Sequence, residues 1–112
     1  MTTTGKQIFT TLASDGTLTV ELAESTFPDP PGNQVLVRME AAPINPSDLA
    51  LLTGPADLEN AEYSPGRLVA RMPEPFASGA KGRHDQRLPV GNEGAGTVVA
   101  TGDGEMAKAL MG

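Results

Sequence analysis

The sequence predicts a mainly β protein with small helices, on three observations. Thirteen glycines and ten prolines in 112 residues are too many for a helical bundle and suit short strands joined by turns. Segments such as Leu18-Thr19-Val20-Glu21-Leu22 alternate apolar and polar residues, the period of a half-buried strand. Turn-forming pairs, Asp15-Gly16 first among them, separate these segments.

Taken in order, Lys6 to Ala13 reads as a first strand, Asp15-Gly16 as a hairpin turn and Leu18 to Leu22 as the returning strand. The link Phe27-Pro28-Asp29-Pro30-Pro31-Gly32 cannot enter a sheet interior, because proline has no amide donor. Gln34 to Ala42 is the clearest strand, with Val35, Val37 and Met39 on one face and Arg38 and Glu40 on the other. Pro43 ends it. Pro46 then opens a short helix through Leu52, which Gly54-Pro55 terminates. Residues 53–89 hold five of the ten prolines and read as a long irregular insertion, with a weak helix from Ala56 to Tyr63 and a short strand from Leu68 to Met72. Gly94 to Thr101 reads as a buried strand entered through glycines. Gly102-Asp103-Gly104 turns the chain into a helix from Glu105 to Leu110.

A chain of 112 residues suits one domain, and at 38% apolar content with four aromatic residues its core must be thin. No stretch approaches the ~18 apolar residues of a membrane span. The start, Met1 to Lys6, lacks the basic and apolar regions of a signal peptide, and the absence of cysteine excludes disulfides and thiolate metal sites. A cytoplasmic address is the expectation. The net charge of −6 argues against nucleic acid and anionic membrane as partners. Between Gly66 and Pro89, however, Arg67, Arg71, Lys81, Arg83 and Arg87 face only Glu74 and Asp85. That local +3 is either an anion-binding loop or a solvated surface.

Two strings remain, Asn45-Pro46-Ser47-Asp48 after the clearest strand and Gly91-Asn92-Glu93-Gly94-Ala95-Gly96 before the last. Their order resembles the N-terminal, GroES-like half of the medium-chain dehydrogenase/reductase superfamily, within the zinc-independent quinone oxidoreductase and 2-enoyl thioester reductase branches. The likeness covers residues 6–54 and 88–104. It implies that residues 1–112 are a partial GroES-like catalytic domain, a partly open β-barrel incomplete at its C-terminus. It also implies that a Rossmann cofactor domain lies outside this chain and that nicotinamide sits in a cleft beside the substrate. In alcohol dehydrogenases of the superfamily the two strings carry the Cys and His that bind catalytic zinc; here Asn45 and Asn92 occupy those positions. A neutral amide is a poor zinc ligand, and one histidine with no cysteine leaves no ligand set, so no metal is expected.

Without zinc, the accessible reaction for a bound NADPH is hydride addition to an acceptor that is already polarised, a quinone or an activated alkene or carbonyl. The protein then needs hydrogen-bond donors aimed at the acceptor oxygen. By the resemblance, Asn45 contacts nicotinamide and acceptor through its amide. Ser47 is either a donor and proton relay or a helix-start residue whose hydroxyl caps the backbone. Asp48 accepts first-turn amides. Tyr63 is either the proton donor of a 2-enoyl thioester reductase or a surface tyrosine. In the thioester reading the basic segment meets the phosphates of the thioester's carrier. Glu93 is expected in a buried turn with a partner, and His84 at the surface. Gly94-Ala95-Gly96 is no dinucleotide fingerprint, since it lacks the third glycine and precedes its strand. The resemblance thus implies a fragment of an NADPH-dependent oxidoreductase acting on a small molecule, inactive by itself, that self-associates through exposed barrel edges. A non-enzymatic, stand-alone GroES-like binding or assembly module is the alternative of another class.

Overall fold

Asp15 and Gly16 reverse the chain between two long strands, β1 (Thr2–Leu12) and β2 (Thr17–Pro28). Gly16 takes φ 92°, and the Asp15 carboxylate accepts the Thr17 amide at 2.9 Å. In this computed structural model, which describes residues 2–111, the chain continues through β3 (Val35–Ala41), α1 (Pro46–Leu52), β4 (Asp57–Ser64) and β5 (Arg67–Arg71). There follow α2 (Phe76–Gly79), a 3-10 turn at Lys81–Arg83, β6 (Leu88–Pro89), β7 (Ala95–Thr101) and α3 (Glu105–Ala109). The protein is mainly β. Its strands form two open sheets, one of five strands in the order β4-β5-β2-β1-β6 and one pairing β3 with β7. The expected break of a barrel at Gly112 lies outside the described residues. Among those residues no helix is long and apolar enough to cross a membrane.

The chain divides into two compact units, residues 2–5, 25–43 and 91–111 in one, and residues 6–24 and 44–90 in the other. In the second unit β2 pairs antiparallel with β5 from Thr17 opposite Arg71 to Glu21 opposite Arg67. Its core is small: Leu12 and Leu18 are fully buried, Met72 and Ala77 nearly so, with Val20, Ala56 and Ala80 packed around them.

Segment 53–89 is not the irregular insertion the sequence suggested. It supplies β4, β5 and β6, three of the five strands of the larger sheet. The helix expected from Ala56 to Tyr63 is instead β4, because pairing to β5 outweighs the helix propensity of Glu59, Ala61 and Glu62. β5 falls where the short strand was expected.

In the first unit β3 pairs antiparallel with β7, with register shifts between Leu36 and Val37 and between Met39 and Ala41. The face of Arg38 and Glu40 carries their ion pair at 3.2 Å. The opposite face is also partly open: Val37 is 39% and Met39 57% exposed. β7, expected to be buried, is half-buried beyond two exposed residues at its start. Beyond β7 the Gly102 amide donates to the Gln34 carbonyl at 3.0 Å, and the Gly104 amide to the Gly32 carbonyl at 2.9 Å. A Cβ at residue 102 would collide with the Gly32 and Pro31 backbone. Gly102→Ala should therefore lower stability by at least about 1–3 kcal/mol, read as a shift in the urea midpoint at unchanged m-value.

Two exposed carboxyls lie below the usual aspartate range. The Thr17 backbone amide holds Asp15 down, with the Thr17 side chain next, and the Asn60 side-chain amide holds Asp57 down. Because both folded values are depressed, their support is complete above the unfolded value near ~3.9 and is lost as pH falls through the folded values. A carboxyl-carbon NMR titration should place both midpoints below those of a denatured control.

Candidate functional site

The Asn45 string is built by helix-capping chemistry. Asn45 takes extended backbone angles as the N-cap of α1, Pro46 occupies the first helical turn, and Asn45 and Asp48 form a capping box. The Asn45 amide N–H donates to Asp48 Oδ2 at 2.8 Å. Asp48 is 7% exposed, so its carboxylate is committed to the helix start, as the sequence suggested. The cap belongs to Asn45 rather than to Ser47, which lies exposed in the first turn. Asn45 is half-buried, and Ile44 before it is 81% exposed. Asp48→Ala should cost about 0.5–2 kcal/mol, measurable by thermal unfolding.

The far end of the same helix is held from outside. The Thr10 hydroxyl, fully buried on β1, donates to the Leu52 carbonyl at 3.0 Å. Arg83 donates through Nη1 to the Leu51 carbonyl at 3.4 Å and through Nη2 to Thr10 Oγ1 at 3.3 Å. Burial lowers the Arg83 pKa, but an arginine remains charged. Sequence reasoning missed this contact, since Thr10 and Arg83 stand 73 residues apart.

Other members of the basic segment also bond within the chain. Arg71 donates to the Asp15 carbonyl at 3.0 Å and to Thr17 Oγ1 at 3.3 Å. Arg87 pairs with Glu21 at 3.2 Å and lies 3.9 Å over the Phe9 ring. Three of the five basic residues, Arg71, Arg83 and Arg87, are thus engaged within the chain. His84, expected at the surface, is half-buried, with Nε2 donating to the Ala77 carbonyl at 2.7 Å. The cause is the neighbouring backbone: the Asp85 amide donates to the Leu12 carbonyl, which turns the loop inward.

Tyr63 lies on β4, at the edge of the sheet, 66% exposed, and its hydroxyl donates to the Leu58 carbonyl at 2.9 Å. Asn45, Ser47 and Tyr63 all belong to the second unit, whereas Asn92 and Glu93 belong to the first. There Asn92, Glu93, Gly94 and Ala95 line an open cavity of about 630 Å³ together with Ala41, Ala42 and Pro43. Glu93 is exposed rather than buried, because the turn before β7 runs along the surface. Alanine, proline and glycine make up most of the wall.

Among the described residues no three His, Cys, Asp or Glu side chains are grouped to hold a metal ion. The ladders β1–β6, β2–β5, β3–β7 and β4–β5 are all antiparallel. No protein-family model matches the chain.

Proposed function

We propose that the chain is the substrate-side domain, GroES-like in fold, of a zinc-independent NADPH-dependent oxidoreductase that reduces quinones or activated alkenes and carbonyls. The observation that carries the reading is the pair of strings at Asn45 and Asn92, in the family's order, with asparagine at both zinc-ligand positions. The capping geometry supports a role for Asn45: the cap uses the side-chain oxygen as acceptor, and donation to a substrate uses the side-chain nitrogen, so one residue serves both. In this reading Ser47, exposed in the first turn of the helix, donates or relays a proton. By the resemblance, NADPH would supply the hydride, and a separate Rossmann domain would seat its phosphates.

The thioester reading needs Tyr63 to release the Leu58 carbonyl and needs basic residues whose arginines at 71, 83 and 87 bond within the chain. The quinone reading needs neither change and is preferred.

The test is the reading frame of the gene beyond the codon for Gly112. A frame that continues into a glycine-rich strand-turn-helix supports the proposal. A native product ending at Gly112 overturns it and makes a stand-alone binding or assembly module the working function. The proposal also includes self-association through sheet edges, to which the exposed Val37 and Met39 side chains on the face of β3 would add apolar contact. Sedimentation should show an oligomer that Met39→Lys converts to monomer; a monomeric parent chain at ~1 mM would contradict it.

A further inference from the structure

α1 is seven residues long, about 10 Å, and a helix of that length is not stable by itself. Its N-terminal end is fixed locally by the capping box. Its C-terminal end has no basic residue in the last turn, and its last carbonyls lack intrahelical partners. Those carbonyls, Leu51 and Leu52, are instead met by the Arg83 guanidinium and the Thr10 hydroxyl. A hydroxyl has one proton. With that proton given to Leu52, the Thr10 oxygen accepts from Arg83, so the three groups fix one another's orientation.

The arrangement carries a penalty that a merely solvated arginine would avoid. Arg83 Nε is buried with no hydrogen-bond partner among the described residues. Desolvation of a charged group that leaves one donor unmet is unfavourable. The guanidinium also complements the negative end of the helix dipole, which shares its axis with the motif at the other end.

We propose that Arg83 is the positioning residue of the Asn45–Asp48 motif, gripping the C-terminal carbonyls of α1 directly and through Thr10. The importance of that placement rests on the reading of Asn45 and Ser47 given above, whereas the grip itself does not. A stiff short helix held at one end by β1 and the 3-10 turn presents its other end at a fixed place in the second unit.

The experiment is backbone amide hydrogen exchange by NMR on the full chain, comparing the parent with Arg83→Met and Arg83→Lys. Methionine keeps the apolar stem. Lysine keeps the charge but lacks the two-nitrogen fork that meets both acceptors. The proposal expects the amides from Ala50 to Gly54, at the end of α1 and its cap, to exchange about tenfold to a hundredfold faster in Arg83→Met, while the β2–β5 amides stay within about twofold. The Asn45 side-chain NH₂ signals should shift with them, and Arg83→Lys should recover part of the protection. A uniform loss across α1 and β2–β5 would make Arg83 a general stabiliser and overturn the proposal, as would unchanged α1 exchange. Should Arg83→Met fail to fold, the same two outcomes are read from Arg83→Lys. No nucleotide or substrate is present, so the grip is tested apart from the reductase reading. Loosened α1 with unaltered NADPH oxidation by the complete gene product would sink the motif reading and leave the grip standing.

Discussion

Leu12→Ala should destabilise the protein by about 2–5 kcal/mol. Among the described residues Leu12 and Leu18 are the largest apolar side chains buried completely, and both belong to one small cluster with Met72 and Ala77. So few core residues cannot redistribute to fill a cavity, which places the effect toward the upper end of the range. Total stabilities of small domains are about 5–15 kcal/mol, so the substitution removes a large fraction of what holds the second unit. Urea unfolding of Leu12→Ala against the parent checks it, with Leu110→Ala as control. Leu110 is 60% exposed, and its truncation should stay within about 0.5 kcal/mol. A loss under about 1 kcal/mol for Leu12→Ala would mean that the core lies elsewhere.

Asn45→Asp separates the two roles assigned to one side chain. Aspartate caps a helix as well as asparagine does, so stability should move by no more than about 0.5 kcal/mol. It cannot donate a hydrogen bond when ionised and places negative charge where charge develops on the acceptor oxygen. In the complete gene product, kcat for quinone reduction should fall about 10²–10³-fold, the loss seen when one donor to a developing oxyanion is removed. Asn45→Ala would lose cap and donor together and could not apportion them. Equal kcat in Asn45→Asp and parent would leave Asn45 as a helix cap only.

What was legible in the sequence was local. Asp15-Gly16 closes its hairpin because glycine supplies the positive φ and aspartate caps the turn, both set by adjacent residues. The bounds of α1 follow from Pro46 and Gly54, and the final turn and helix from Gly102 to Ala109 follow in the same way. The misreadings concern which elements pair and which faces are covered, and adjacent residues alone set neither. Ala56 to Tyr63 has helix-compatible residues and no proline, and only β5 beside it makes it a strand. β1 begins at Thr2 rather than Lys6, through threonines that gain strand structure beside β2. The exposure of Met39 was hidden because alternation marks two faces without saying which is covered. At the candidate site, the capping chemistry of Asn45 and Asp48 could be read from four residues. The Arg83–Thr10 contact could not, since no spacing rule links positions 73 residues apart.

The most direct test of the central claim is NADPH oxidation by the complete gene product after exhaustive dialysis against a chelator, with 1,4-benzoquinone and a 2-enoyl thioester compared as acceptors. The account predicts quinone-dependent oxidation that survives metal removal and is not raised by added zinc. Oxidation that vanishes with the metal and returns with zinc would contradict it, as would a product that oxidises NADPH with neither acceptor.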